Sequence, residues 1–266
     1  MHFGPAGYPE GSKGPKDAMD RIHALGLNAL EIEYVRGVRA APEKLIETRE
    51  LAKERNITLT AHAPYFISLN SDSDETREKS LGHIMDTVKA ANAIGAYSIA
   101  IHAASYGKTP EKTTENVITG LIKCKEMMDD LHIKNVIVGL ETMGKVATWG
   151  TLKEISEVMD NVENVHPVLD VSHIHARGNG RLRTKNDMQD MINEFLPLAA
   201  ERPHFHISCI KYSEKGEISH LPLESKEPDM SLLADVLENE KRDCTFISES
   251  PLLEKDSLVF KSMFRQ

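Results

Sequence analysis

The 266-residue chain has only three cysteines, an odd number at wide spacing, which excludes a disulfide framework and a zinc-finger motif. It has no apolar stretch approaching the ~20 residues of a membrane span. Its N-terminus, MHFGPAGYPEGSKG, lacks the apolar core of a signal peptide. Basic residues are in deficit: 32 Lys and Arg against 41 Asp and Glu give a net charge of −9. That excludes a globally basic nucleic-acid coat protein. A local anion site is still open, because metal ions carry positive charge into acidic proteins. No G-x-G-x-x-G follows the first strand-like run, which argues against a dinucleotide-binding doubly wound sheet. No linker-like stretch divides the chain, so residues 1–266 read as one domain. The expectation is a cytoplasmic monomer with no membrane partner.

With 40% hydrophobic and 27% charged residues, the chain can bury a sizeable core. One arrangement recurs along it: a short, β-branched apolar run, a polar loop, then a longer amphipathic segment. The runs are MHFGP (1–5), ALEIEYV (29–35), ITLTAHA (57–63), YSIAIHA (97–103), NVIVGLET (135–142), VHPVLDV (165–171), HFHISCI (204–210) and CTFISES (244–250). They are compact and lack long polar alternation, as expected for strands buried on both faces. Leu81, Ile84, Met85, Val88 and Ala91 share one helical face, with Gly95 at the C-cap position. Further helices are expected after Pro110, around Leu45 to Leu51, around Ile155 to Met159, over 230–239 and from Glu254 to the end. The segment from His175 to Asn186 reads as a long basic loop. Eight strands alternating with helices predict an α/β fold, a single (β/α)8 TIM barrel.

Seven of the strands end in a side chain that can bind a metal or move a proton: Glu33, His62, His102, Glu141, Asp170, His206 and Glu249. Their spacings of 29, 40, 39, 29, 36 and 43 residues each match about one βα unit. All strand C-termini of a parallel barrel open on the same face, so these groups would converge at one mouth. His173 and His220 follow closely. Clustered carboxylates in a poorly solvated mouth would repel one another strongly, and divalent cations remove that repulsion. Mixed imidazole and carboxylate ligands suit zinc, manganese, iron or cobalt better than calcium or magnesium. Cys209 reads as packing. His2, His23, His83, His132 and His166 read as structural, and His204, on the same side of its strand as His206, as a group behind the ligands.

Several short motifs stand in order and at barrel spacing: His62-Ala-Pro-Tyr65, REKS (77–80) leading to IGAYSIAIH at His102, Glu141-Thr142 with Gly144, Asp170-Val-Ser-His173 with LRT (182–184), His206 with Lys211, and Glu249. Together they resemble the endonuclease IV family of xylose-isomerase-like TIM barrels. The resemblance implies a cluster of two or three Zn2+ ions, with Mn2+ or Fe2+ as alternatives. It implies hydrolysis of the phosphodiester 5′ to abasic sites in double-stranded DNA. Carried over, His62, His102 and Glu141 would bind the first metal. A bridging Glu141, Asp170, His206 and Glu249 would bind the second, and His173 and His220 the third. Glu141 and Glu249 are the candidate catalytic carboxylates. Tyr65, Arg36, Arg183 and Lys211 are the candidate DNA contacts, joined by Arg177 and Arg181 on the basic loop. The sequence departs from the family pattern at Ile218, where an aspartate is usual. Glu217 is the nearest carboxylate for that role.

The rival enzyme reading is a sugar isomerase or epimerase with one metal held by Glu141, Asp170, His206 and Glu249. Glu31 and Glu33 fit it, whereas the surplus ligands His62, His102, His173 and His220 do not. A non-catalytic binding protein that kept a metal site is a third reading, which a stoichiometry of one metal or none would favour.

Overall fold

The computed structural model describes residues 1–264. The elements follow in order β1 (His2–Pro5), α1 (Pro15–Ala24), β2 (Ala29–Glu33), α2 (Pro42–Glu54), β3 (Thr58–His62), α3 (Asp74–Ile94), β4 (Ser98–Ile101), α4 (Thr113–Asp130), β5 (Ile137–Glu141), α5 (Leu152–Met159) and β6 (Val165–Asp170). Then come α6 (Val171–Arg177), α7 (Lys185–Phe195), β7 (His204–Ile207), β8 (Cys209–Ser213), β9 (Gly216–Leu221), α8 (Met230–Leu237), β10 (Thr245–Ser248) and α9 (Glu254–Met263). Eight parallel strands pair in the order β1-β10-β7-β6-β5-β4-β3-β2. The ends of this sheet meet through a parallel bridge between Ala6 and Glu31 and a hydrogen bond from the Gly7 amide to the Glu31 carbonyl at 2.9 Å. The result is a single (β/α)8 barrel.

Local chemistry sets the boundaries. Pro15 and Pro42 occupy the first turns of α1 and α2, where a missing N–H costs nothing. Thr151 with Glu154, and Thr184 with Asp187, close reciprocal capping boxes on α5 and α7. The strands' outer faces pack against the helices. Phe246 stacks on Phe205 at 4.8 Å and on Phe3 at 5.3 Å, with Phe260 of α9 at 5.2 Å. The seam between β1 and β2 is tight: a Cβ on Gly4 would lie 1.8 Å from the Ala29 carbonyl oxygen, so only glycine fits.

Three sequence expectations change. HFHISCI is not one strand. It breaks at Ser208, and Cys209–Ser213 leaves the barrel to pair antiparallel with Gly216–Leu221 across a Ser-Glu-Lys-Gly turn. Cys209 is buried and unoxidised. The basic segment from His175 is helical at its start, because Asp170 caps α6 by accepting from the His173 amide at 2.7 Å. Helices α1 and α7 were not anticipated, although Met188, Met191, Ile192 and Phe195 are spaced for a helix and are all buried. The closing helix expected from Glu254 ends at Met263, and residues 265–266 lie outside the described part of the chain. Among the described residues no helix is long and apolar enough to cross a membrane.

Candidate metal centre

The C-terminal ends of the strands bring Glu33, His62, His102, Glu141, Asp170, His206 and Glu249 around one mouth, joined by His173 from α6 and His220 from β9. A cavity of about 630 Å³ opens over them. Eight of these residues form three overlapping groups: His62, His102 and Glu141; then Glu141, Asp170, His206 and Glu249; then Asp170, His173 and His220. Within each group the potential ligand atoms lie within 4.8 Å of one another.

His62, His173 and His220 are each held from behind by a backbone carbonyl. The Nδ1 of His62 lies 2.7 Å from the Ala63 carbonyl, which leaves Nε2 at 3.1 Å from Glu141 Oε2. His102 Nε2 lies 3.0 Å from the same oxygen. The Nδ1 of His173 lies 3.0 Å from the Thr142 carbonyl, and that of His220 lies 3.1 Å from the Glu249 carbonyl. The Nδ1–H of each ring therefore donates backward, and the two Nε2 atoms face one another at 3.3 Å. Two imidazole lone pairs at that distance repel unless a cation or a proton lies between them. Glu217 Oε2 lies 3.4 Å from His173 Nε2. A Cβ on Gly144 would sit 2.8 Å from both His173 and Glu217, so glycine lets the loop after β5 close over this group.

The donor set fits metal ions. Among the described residues, Glu141 Oε1, Asp170 Oδ2 and His206 Nδ1, which faces Glu141 and Glu249, are buried with no hydrogen-bond partner of good geometry. Orphaned buried polar atoms are costly, and bound cations would satisfy them. Asp170 shows the division of labour: Oδ1 accepts from Ser172 Oγ at 2.6 Å and from the His173 amide, while Oδ2 stays bare.

The electrostatics point the same way. Burial opposes ionisation of Glu141, yet His102 and His206 beside it hold its carboxyl well below the usual range. Burial carries Glu33 up to about 7 and Glu249 well above its ordinary value. Burial also works to lower His62 and His173. The Glu141 carboxylate beside His62, and Asp170 and Glu141 beside His173, nevertheless bring both up to about 10. His62 and His173 thus take up positive charge that cations would otherwise supply, whereas burial lowers His102.

The expected substrate contacts divide. Tyr65 lines the cavity with half its surface exposed, its ring 4.9 Å from His62 and 5.1 Å from His102. Arg36, Lys211 and Arg183 are exposed but do not line the cavity. Arg183 donates to the Gly180 carbonyl at 2.7 Å. Arg177 is a strut: its guanidinium donates to the carbonyls of Lys145 and Thr148, at 2.7 and 2.8 Å, and to the Tyr106 hydroxyl. Arg181 lies 3.9 Å from Glu194, away from the mouth. Sequence reasoning passed over Lys145, which lines the cavity. Its position four residues after Glu141, on a loop at the functional face, was the available signal.

Comparison with known proteins agrees with this architecture. The chain is 30% identical to an uncharacterized protein of Methanocaldococcus jannaschii, over 99% of this chain and 97% of that one. It is 26% identical to a probable endonuclease 4 of Methanosphaera stadtmanae, over 85% of this chain and 88% of the relative. Among solved structures it resembles endonuclease IV from Thermus thermophilus, with a TM-score of 0.77 and 20% identity over 99% of this chain and 98% of that one. It also resembles a D-tagatose 3-epimerase-like protein, with a TM-score of 0.75 and 17% identity over 99% and 95% of the two chains. At such identities these structures share the fold alone. The profile of one family matches residues 19–258, and the chain belongs to that family, the xylose isomerase-like TIM barrels.

Proposed function

We propose that the protein is a metal-dependent phosphodiester hydrolase of the endonuclease IV type, which cleaves DNA 5′ to abasic sites. The observation that carries this reading is the facing pair of His173 and His220 beside Glu217. Together with His62 and His102, it provides ligands well beyond the single four-residue group that a one-metal sugar enzyme needs. When bound, two or three Zn2+ ions, or Mn2+ or Fe2+ in their place, supply Lewis-acid polarisation of the phosphodiester and activation of water. Glu141 is shared by two groups and fixes their separation. Glu249, with its side chain 10% exposed, reaches the cavity and orients the attacking water. Tyr65 presents an exposed ring at the rim, where it wedges beside an extruded abasic nucleotide. Lys145 within the cavity contacts the scissile phosphate. Arg36, Lys211 and Arg183 contact phosphates farther along the duplex.

Cleavage of an end-labelled duplex with one abasic-site analogue tests this, using zinc- and manganese-loaded protein with His102→Ala and EDTA controls. A metal-dependent cut 5′ to the lesion, lost in the variant, is expected. The absence of any cut by protein holding two or more metals per chain would overturn the endonuclease reading. A panel of sugars and phosphosugars would then address the single-metal epimerase reading. That alternative draws support from Glu33, whose buried Oε1 lacks a partner at the cavity wall.

A further inference from the structure

Beneath the metal centre lies a second polar layer to which neither the fold nor the proposed reaction assigns a task. TIM-barrel interiors are normally filled by branched apolar side chains. Here the layer holds Glu31 from β2, Thr60 from β3 and His204 from β7, all fully or almost fully buried. The Thr60 hydroxyl donates to Glu31 Oε2 at 2.9 Å. His204 Nε2 lies 3.3 Å from the same oxygen, and His206 Nε2 lies 3.1 Å from Glu31 Oε1. The other nitrogen of His206 points upward, 3.4 Å from Glu249 Oε1 and 3.6 Å from Glu141 Oε2. One ring thus spans the two layers.

We infer that Glu31 is a positioning residue: its carboxylate accepts the Nε2–H of His206 and so presents a bare Nδ1 to the metal shared by Glu141, Asp170 and Glu249. A buried carboxylate is costly unless it is satisfied by several donors. Thr60 already donates to it, and His204 Nε2 at 3.3 Å and His206 Nε2 at 3.1 Å stand close enough to become its second and third donors once a metal orients the His206 ring. A carboxylate behind a ligating imidazole fixes its tautomer and ring orientation and raises its basicity. His204 acts through Glu31, because the second imidazole holds the carboxylate in the plane that His206 requires. The two rings pack edge to face at 5.0 Å, which fixes their relative orientation. The inference rests on the reading of the mouth as a metal centre and is independent of which substrate is cleaved.

Zinc titration of the full chain against a chromophoric chelator tests it, read beside thermal melts with and without zinc. Glu31→Gln should weaken one bound ion by about 10–100-fold and leave the others unchanged. Its zinc-free melting temperature should equal or exceed that of the parent, while the zinc-induced rise shrinks. In a His206→Ala background, Glu31→Gln should have no further effect on zinc affinity. His204→Gln, which removes one donor, should cause a smaller loss of the same ion. It also carries the test if Glu31→Gln does not fold. Unchanged zinc affinity in both variants would overturn the inference, as would equal losses in the presence and absence of His206. A parent chain that binds no zinc would overturn the metal-centre reading as well. Intact zinc binding without DNA cleavage would overturn only the proposed substrate.

Discussion

Replacing Glu141 by glutamine keeps the shape of the side chain and removes its charge, which separates the three ligand groups. Glu141 Oε2 lies 3.1 Å from His62 Nε2 and 3.0 Å from His102 Nε2, and the carboxylate also belongs to the group of Asp170, His206 and Glu249. At an effective dielectric of about 20, a unit charge and a dication about 4 Å apart interact by about 8 kcal/mol, twice the value for two unit charges. Desolvation of the carboxylate offsets several kcal/mol of this. A net loss of about 3–4 kcal/mol remains, or roughly 10²–10³-fold in affinity for each ion that Glu141 touches. The first group would be left with His62 and His102 alone, and the second would keep Asp170, His206 and Glu249. The group of Asp170, His173 and His220 keeps all three of its ligands, and glutamine Oε1 can still approach His173 Nδ1, which lies 3.1 Å from Glu141 Oε1. At a fixed free-zinc concentration, the variant should lose the first ion, hold the second weakly and retain the third. Elemental analysis after equilibrium dialysis against buffered zinc reads this directly. A variant that keeps the parent's metal content across the titration would refute the sharing of Glu141 between sites.

Further outcomes follow from other parts of the molecule. Glu217→Ala should remove one ion while leaving the two groups built on Glu141 loaded, because Glu217 approaches only the His173 side; equal metal content in parent and variant would show that Glu217 is not a ligand. Gly4→Ala should force β1 away from β2, since its Cβ would lie 1.8 Å from the Ala29 oxygen. Weakening the seam bonds Gly7 N–H to Glu31 and Asn28 N–H to Phe3, at about 1 kcal/mol each, predicts a loss of about 2 kcal/mol or more. An unshifted urea midpoint would contradict it. Phe246→Ala, which empties the centre of the stack with Phe3, Phe205 and Phe260, should cost about 3–5 kcal/mol by the same measurement. Burial works to raise the Asp243 carboxyl, but His2, the N-terminal ammonium and Arg202 hold it at about 2. A depressed folded-state value gives stability that is present above about pH 4 and lost as pH falls through about 2. With Asp243 nearly half exposed, screening limits this to about 1 kcal/mol or less. Asp243→Asn should therefore differ from the parent at pH 6 and converge with it near pH 2.

The barrel was legible because its strands announce themselves twice, by apolar runs and by the polar residue that ends each one. His62, His102, Glu141, Asp170 and His206 could be aligned at the mouth from spacing alone, since all the strands point the same way. Residues beyond the strand ends were harder to place. The alternation of HFHISCI is unbroken on paper, but the chain turns out of the barrel at Ser208, and the hairpin that follows delivers both His220 and Glu217. Glu217 sits beside His173 because β9 is registered on β8, with Tyr212 opposite Glu217; no count of residues from His206 contains that register. The basic residues show the deeper reason. Arg177, Arg181 and Arg183 read alike as phosphate contacts on one loop. In the fold, α6 starts at Val171, and Arg177 becomes the last residue of that helix. There it meets the carbonyls of Met143, Lys145 and Thr148, and these three hydrogen bonds commit its guanidinium to the loop after β5, with a fourth to the Tyr106 hydroxyl in the loop after β4. Those same bonds hold the loop that carries Lys145 into the cavity. A charge that seemed to face the substrate thus acts one step behind it, and which arginine takes that part is settled by unpaired carbonyls elsewhere in the chain.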